Sequence, residues 1–196
     1  MPGIVGILLA AGASARFGSN KLTHRLPDGR KVATAAAAAL HPACDRLVAV
    51  LRPNANGLAK ELMEAGYEVV RCVRAAEGMG YSLASGVQAT SDASGWIVAL
   101  ADMPFISSAS HKLIADNLRS GASLAATQFQ GRQGHPVGFS QVWLQQLATM
   151  TGDQGGKLIL KKYKESLMLC PVDDPGVIWD IDRPDDLNGI PKSIDL

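Results

Sequence analysis

The amino-acid sequence predicts a three-layer α/β fold, in which helices cover both faces of a Rossmann-like, doubly wound, mostly parallel sheet. Apolar runs at residues 4–9 and 96–100 have the length and composition of buried strands. Segments with helical composition, such as Val32–Leu40, separate the apolar runs. This alternation is typical of a parallel sheet, because parallel neighbours need a crossover connection.

The N-terminal half alternates strands and helices as this fold requires. We predict strands at 4–9, Arg46–Leu51, 67–72 and 96–100. We predict helices at Val32–Leu40, at 58–65 and after the glycine loop 77–83 as far as about residue 90, with a turn at 26–30. Pro42 and Gly66 mark the ends of the first two helices, since proline disfavours helix before it and glycine favours a helix C-terminus.

The C-terminal half continues the pattern. We expect strands at 123–127, 134–139 and 167–172. We expect helices at 107–118, at 142–150 and from 152–157 to about 163, and a last helical turn after the loop 179–187. Ser107 or Ser108 is the expected N-cap of the first of these helices. Because no repeat or linker interrupts the sequence, we expect residues 1–196 to form a single domain.

The composition is that of an ordinary globular protein. Hydrophobic residues make up 47% and charged residues 19%, and the net charge is +1 without a basic block. This argues against nucleic-acid binding by bulk electrostatics, which uses a basic stripe. Cys44, Cys72 and Cys170 are odd in number and far apart, so neither a zinc site nor a disulfide framework is expected, and a reducing compartment fits.

Nothing in the sequence predicts a membrane segment. The apolar run at 4–11 is short and no basic residue precedes it, so it reads as a first strand and not as a signal peptide. The apolar tract Val32–Leu40 is far shorter than a membrane span. We therefore expect a cytoplasmic protein without membrane or nucleic-acid partners.

The loop after the first strand has the composition of a polyphosphate site. Its candidate binding residues are Leu9, Ala10, Ala11, Gly12, Ser14, Arg16 and Lys21. Small residues let a ligand approach the backbone, exposed amides form an anion cradle, and Arg16 and Lys21 add positive charge. The loop matches neither a Walker A motif nor a dinucleotide-binding fingerprint. The alternative is an ordinary strand–helix connection with two solvated basic side chains.

Asp102 follows the strand at 96–100 and is the main candidate for a cation ligand. Mg²⁺ favours one or two carboxylates together with substrate phosphates, and Asp180, with Asp182 as the runner-up, would supply the second. The alternative is that Asp102 interacts with the dipole of the next helix and that Asp180 belongs to a turn. The carboxyl ends of parallel strands meet at one edge of the sheet, so Gly12, Gly78 and Asp102 should converge.

A second glycine loop is a candidate for recognising a base or ribose. Gly78, Met79, Gly80 and Ser82 offer main-chain groups without a charge. The alternative is a plain connection in which Ser82 caps the following helix.

Two further segments are weaker candidates for a ligand site. His135 and Pro136 form a tight turn, and a lone histidine is more often structural than catalytic. Gly155 and Gly156 precede Lys157 at a helix start, where a glycine pair is unfavourable unless another backbone must approach.

Together, these motifs resemble those of the molybdopterin cytidylyltransferase type of nucleotidyltransferase, and the resemblance covers nearly the whole chain. They lie at 9–18 with Lys21, 77–83, 101–104, 134–136 and 180–187, in the order and spacing of that family. Ala10-Ala11-Gly12, where guanylyltransferases usually carry a second glycine, favours cytidine. The alanine tract and Arg183, where threonine is common, depart from the family pattern. The implied fold is of the nucleotide-diphospho-sugar transferase type.

The resemblance implies transfer of CMP from CTP to the terminal phosphate of molybdopterin, with release of pyrophosphate. It implies Mg²⁺ as cofactor, with Mn²⁺ as a substitute, and a recipient molybdoenzyme or its chaperone as a further partner. The implied catalytic residues are Arg16, Lys21 and Asp102, with Asp180 or Asp182 as the second metal ligand. The loop 78–82 would read cytosine, and His135, Pro136, Gly155, Gly156 and Lys157 would face the acceptor.

Other functions are compatible with the same residues. The acceptor would then be a sugar phosphate or another phosphorylated metabolite, or the donor would be GTP. A non-catalytic carrier or chaperone for the molybdenum cofactor belongs to a different class, as does a redox enzyme on a similar scaffold. The oligomeric state stays open.

Overall fold

Seven strands form one sheet in the part of the chain that the computed structural model describes, namely residues 3–12, 17 and 20–188. The strands are β1 Ile4–Ala10, β2 Arg46–Leu51, β3 Glu68–Arg71, β4 Gly95–Leu100, β5 Leu124–Phe129, β6 Arg132–Ser140 and β7 Leu167–Pro171. The α-helices are α1 Val32–Leu40, α2 Asn56–Glu64, α3 Met79–Ala89, α4 Ser108–Arg119, α5 Leu144–Ala148 and α6 Lys157–Lys162. Short 3₁₀ helices lie at Lys21–Thr23, His41–Ala43, Ala75–Glu77, Gln141–Trp143, Lys164–Ser166, Pro175–Ile178 and Pro184–Asn188.

The sheet is mostly parallel and doubly wound, which confirms the predicted fold class. Its strand order is β3-β2-β1-β4-β6-β5-β7. The strands β3, β2, β1 and β4 are parallel neighbours, and β5 pairs in parallel with β7. The strand β6 runs antiparallel to both β4 and β5. Because β1, β2, β3 and β4 are parallel, their carboxyl ends lie at the same edge of the sheet, where ligands bind in sheets of this kind.

Helices pack on both faces of the sheet, because side chains alternate along each strand. In β1, Leu8 belongs to the cluster with α1, α2 and α4, whereas Ile7 belongs to the cluster with α3, α5 and α6. This arrangement makes the three layers that the sequence predicts. No helix among the described residues is long and apolar enough to cross a lipid bilayer.

The region around His135 differs from its prediction. We predict a tight turn at 134–136, but His135 and Pro136 lie inside β6, and the turn comes earlier, at Gln130 and Gly131, which have φ angles of 46° and 81°. The pairing with β5 is irregular between Ala126 and Gln128, and the hydroxyl of Thr127 donates to the carbonyl of His135 at 2.8 Å. The strand accommodates Pro136 at this irregularity, since proline has no N–H for a regular ladder.

The structure also defines the N-termini of α3 and α4 more closely than the sequence does. The side chain of Ser107 accepts a hydrogen bond from the amide of Ser110, so Ser107 is the N-cap of α4. The helix α3 begins at Met79, which places Met79, Gly80 and Ser82 in its first turns instead of in a loop. Gly78 occupies the N-cap position, so the alternative in which Ser82 caps this helix is wrong.

Candidate functional site

A cavity of about 300 Å³ lies where β1, β2 and β4 end. Gly12, Gly78 and Asp102 all line it, as the sheet topology predicts. Lys21 lines the same cavity, between the segment after β1 and the segment after β4. The cavity therefore combines an exposed backbone, a cation and a carboxylate.

The segment after β1 leaves room for a ligand against its backbone. A Cβ atom added to Gly12 would meet nothing within 4 Å, so packing does not demand a glycine there. Leu9 and Ala11 also border the cavity, whereas Ala10 is buried in the cluster with α1, α2 and α4. The predicted binding residues Ser14 and Arg16 lie outside the described residues.

Lys21 is held between two carboxylates. Its Nζ atom lies 2.7 Å from Asp102 Oδ2 and 3.5 Å from Asp182 Oδ1. It donates a hydrogen bond of 2.6 Å to the carbonyl of Ile181, whose own N–H donates to the carbonyl of Asp102 at 2.8 Å. Lys21 as a whole is 8% exposed. These contacts attach the C-terminal loop, residues 179–183, to the segment after β4 that carries Asp102.

The nearby acidic side chains affect the pKa of Asp180. Burial raises the pKa of its carboxyl group, and the nearby charges of Asp102 and Asp182 raise it further, whereas Lys21 lowers it. Carboxylate oxygens are the ligands that Mg²⁺ and Mn²⁺ take, and like-charged carboxylates favour a cation between them.

The described carboxylates fit a site that the substrate completes. No group of three or more His, Cys, Asp or Glu side chains within the described ranges is arranged to hold a metal ion alone. Mg²⁺ is commonly bound by one or two carboxylates plus substrate phosphates, so two carboxylates are sufficient here. Asp182, by its approach to Lys21 beside Asp102, fits the second position better than Asp180 does.

The second glycine loop has a packing reason for its glycines. Gly78 has a φ angle of 136°, and a Cβ atom there would lie 2.3 Å from the carbonyl carbon of Gly152. The N–H of Gly80 donates to the carbonyl of Gly152 at 2.7 Å. A Cβ atom added to Gly80 would lie 2.6 Å from the carbonyl oxygen of Thr151, so both glycines are required by another backbone segment of the protein. Met79 and the buried Ser82 line the cavity, and their role in reading a base stays a prediction.

The glycine pair before α6 has a structural explanation in its backbone conformation and its packing. Gly155 has a φ angle of 48°, in the left-handed region that favours glycine, although a Cβ atom added there would make only an ordinary contact with Met79. A Cβ atom added to Gly156 would lie 2.7 Å from the ring of Phe139. Lys157 begins α6 on the surface. An acceptor-binding role for Gly155, Gly156 and Lys157 stays a prediction.

A smaller groove of about 190 Å³ lies next to the cavity, and Leu100 is part of both walls. His135, Arg132 and Asp180 line this groove, while Pro136 is buried in β6. Burial lowers the pKa of His135, and the carboxylate of Asp102 acts in the opposite direction. The imidazole is therefore neutral near pH 7.

Two buried nitrogen atoms near this groove have no hydrogen-bond partner among the described residues: His135 Nδ1 and Trp179 Nε1. Trp179 lines an adjoining depression together with Arg132, Asp180 and Asp182. Buried polar atoms are normally satisfied, so each unpaired one needs an explanation. A bound polar molecule would provide one.

Arg52 is a cavity residue that we did not predict from the sequence. Its Nε atom donates to the carbonyl of Ala11 at 2.7 Å, and the side chain lines the cavity. A signal was present, since Arg52 directly follows the strand Arg46–Leu51 and must lie at the same sheet edge as Gly12. Asp153, at the opposite wall, carried no such signal because it lies in an irregular segment.

Several known proteins are similar to this chain over almost its whole length. Purine catabolism protein PucB of Bacillus subtilis (strain 168) is 28% identical over 210 residues, which cover 98% of both chains. Nicotine blue oxidoreductase of Paenarthrobacter nicotinovorans is 28% identical over 190 residues, which cover 93% of both. The crystal structure of Rv0371c from Mycobacterium tuberculosis H37Rv superposes with a TM-score of 0.81 at 27% identity, over 94% of this chain and 95% of that one.

A second structure of Rv0371c is a complex with manganese, and it superposes with a TM-score of 0.76 at 25% identity, over 93% of this chain and 95% of that one. Residues 6–167 match the family model of the MobA-like NTP transferase domain. The match includes residues 6–10 of β1, the segment with Lys21, the start of α3, Asp102 and β6. The chain therefore belongs to the MobA-like NTP transferase family and is a nucleotidyltransferase.

Proposed function

We propose that this nucleotidyltransferase transfers CMP from CTP to the phosphate of molybdopterin and releases pyrophosphate, with Mg²⁺ or Mn²⁺ as cofactor. The observation that carries the proposal is the meeting of Gly12, Lys21 and Asp102 in one cavity at the sheet edge. An open backbone suits close approach of a triphosphate, and the ammonium and carboxylate suit its charge and its metal.

The residues of the cavity act by positioning and by charge. The acceptor phosphate is already an anion, so the chain does not need a strong general base, and in-line placement matters most. Lys21, with Arg52 and Arg16, would bind the triphosphate and stabilise the leaving pyrophosphate. Asp102 and Asp182 would hold the metal ion, which supplies neutralising charge at the transferred phosphate. The manganese complex of the similar Rv0371c supports a divalent ion here.

The acceptor would lie across Leu100 from the nucleotide. Arg132 offers positive charge at the rim of the smaller groove, and the neutral His135 and the indole N–H of Trp179 offer polar contacts to a heterocycle. Arg132 belongs to the walls of both depressions on this side. An anionic molecule with a polar ring system, such as molybdopterin, is complementary to this surface.

A pyrophosphate-release assay tests the proposal. The purified protein is incubated with Mg²⁺, molybdopterin and either CTP or GTP, and the nucleotide product is identified by mass. We expect release with CTP and molybdopterin together, and its loss in Asp102→Asn. Selective release with GTP would overturn the cytidine assignment, and release with sugar phosphates but not with molybdopterin would overturn the acceptor. A carrier would bind CTP but release no pyrophosphate with any acceptor.

A redox activity is the second candidate, favoured by the 28% identity to nicotine blue oxidoreductase over 93% of the chain. The same preparation is therefore assayed for oxidation of reduced nicotinamide nucleotides with redox dyes as acceptors. Turnover that survives Asp102→Asn, without any release of pyrophosphate, would support this function and contradict nucleotidyl transfer.

A further inference from the structure

We infer that Lys21 occupies the cation position of this site when no nucleotide is bound, so that the divalent metal and the nucleotide bind synergistically. A triphosphate would draw the ammonium group away from Asp102 and Asp182, and the two carboxylates would then accept the metal ion. The inference rests on the proposed function for the presence of a nucleoside triphosphate, and it does not depend on the acceptor.

The position of Lys21 supports the first step. Its Nζ atom lies 2.7 Å from Asp102 and 3.5 Å from Asp182, the two carboxylates that best fit a divalent ion. The Lys21 side chain is 10% exposed, compared with 24% for Asp102 and 40% for Asp182, so the cation is the more enclosed partner. A divalent ion on the same oxygens would be repelled by the ammonium at short range. Metal binding therefore requires Lys21 to move or to be neutralised by an anion.

Hydrogen bonds that do not involve Lys21 hold the main chain around Asp182. The N–H groups of Asp182 and Arg183 both donate to Asp186 Oδ2, at 2.9 and 2.7 Å. The N–H of Ile181 is bound to the carbonyl of Asp102. These contacts involve main-chain groups and Asp186, so none of them is lost when the ammonium swings into the cavity. The main chain that carries Asp182 is thus held by contacts that are independent of Lys21, and the lysine is the part that changes partner.

Lys21 has a second partner within reach in the nucleotide complex. It lines the same cavity as Gly12 and Arg52, where a triphosphate would place several negative charges. A lysine side chain has flexible methylene groups and can change direction, and contacts with the triphosphate would replace its hydrogen bond to the carbonyl of Ile181. Each ligand would then remove an obstacle for the other, which is positive coupling in the thermodynamic sense, and the coupling must be reciprocal.

The test is direct measurement of Mn²⁺ binding by the electron paramagnetic resonance signal of the free ion. Wild type is titrated with and without CTP, and a protein-free titration corrects for the Mn²⁺–CTP complex. We expect CTP to tighten Mn²⁺ binding by about 5-fold or more, the scale of ordinary coupling between sites. In Lys21→Met without nucleotide, Mn²⁺ should bind more tightly than to wild type, although CTP affinity falls.

Matched variants keep the test decisive. Lys21→Gln repeats the change with a polar side chain, circular dichroism verifies folding, and Lys31→Met is the control because Lys31 pairs with Glu61 elsewhere. Asp102→Asn should weaken Mn²⁺ binding in every background. Unchanged or weaker Mn²⁺ binding in folded Lys21→Met and Lys21→Gln would overturn the inference. Absence of CTP binding to wild type would instead overturn the proposed function, since the nucleotide-free comparison stands alone.

Discussion

At the scale of the residue, Gly12 and Gly78 are the same amino acid with opposite roles. A side chain at Gly12 would meet open space. A side chain at Gly78 would collide with the backbone of Gly152, and the positive φ angle of that position is one that residues with a side chain rarely adopt. The first glycine is free for a ligand, and the second is required by the fold.

We therefore predict opposite phenotypes for two alanine variants. Gly12→Ala should keep the melting temperature of wild type but weaken CTP binding by roughly 10-fold, about 1.4 kcal/mol. Gly78→Ala should lower the free energy of unfolding by about 1–3 kcal/mol, because of the strained backbone and the steric overlap. Thermal unfolding and calorimetric titration with CTP measure both effects. Equal loss of stability in the two variants would contradict this division.

Arg52 provides a second prediction at this scale. Arg52→Gln removes a cavity cation and should raise the KM for CTP by about 10–100-fold, the value of a hydrogen bond to a charged group. Arg46→Gln is the matched control, since Arg46 begins the same strand β2 at the opposite end and pairs with Glu68 and Asp92. Similar kinetics for Arg52→Gln and wild type would remove Arg52 from the site.

The sequence predicts the residues of the cavity better than the reasons for them. Gly12 and Asp102 could be found because each follows a strand whose apolar run is plain, and Lys21 could be found as a basic residue of the segment after β1. The packing of Gly78 against Gly152 could not be found, because the partner lies 74 positions away and irregular segments carry no periodic signal.

At the scale of the element, α1 shows how an alanine tract serves close packing. Ala33, Ala35, Ala36 and Ala37 are all buried, so this helix has little room for larger side chains. Gly6 in β1 is similarly limited, since a Cβ atom there would lie 3.1 Å from Leu40. A small-residue helix lets the helical layer approach the sheet.

We predict that Ala35→Leu costs about 1–3 kcal/mol of the free energy of unfolding through overpacking. Ala38→Leu is the control, because Ala38 lies on the exposed side of the same helix. Its effect should be within about 0.5 kcal/mol of wild type, as is usual for surface changes. Denaturant unfolding of both variants checks the prediction, and a cost of Ala35→Leu as small as that expected for Ala38→Leu would contradict close packing of α1.

The accuracy of the predicted elements depends on how local their signals are. The bounds of α1 and β2 agree with the sequence because apolar composition and flanking breakers coincide there. The strand β6 is longer than predicted, since Pro136 reads as a break and its antiparallel partners in β4 and β5 are distant along the chain. The predicted helix at 142–150 divides into Gln141–Trp143 and α5.

At the scale of the whole molecule, burial of histidines makes stability depend on pH. His111 in α4 is 2% exposed, and burial lowers its pKa to about 4; Asp174 raises it and His135 lowers it further. Between pH 6.5 and pH 4 the unfolded state binds a proton that the native histidine does not. The free energy of unfolding is therefore highest, as far as His111 is concerned, above pH 6.5, and it decreases as the pH falls towards 4.

We expect His111 to account for a loss of about 3 kcal/mol over that range, at about 1.4 kcal/mol per pKa unit. His135, whose pKa is also lowered, adds in the same direction. Urea unfolding at several pH values measures the slope. The slope should be smaller in His111→Gln than in wild type. Identical slopes in wild type and His111→Gln would contradict the assignment.

Leu100 has a consequence that extends beyond a single reaction. Its side chain stands in the walls of both the cavity and the smaller groove, while the other residues named for the groove come from β6 and the C-terminal loop. Mutations in those segments can therefore reshape one compartment and leave the other intact. On the proposed assignment of nucleotide to cavity and acceptor to groove, an ancestor with this layout would gain new acceptors by gene duplication and drift while it kept its nucleotide donor. Exchange of β6 and residues 177–182 with those of a relative is a direct way to test this separation in the laboratory.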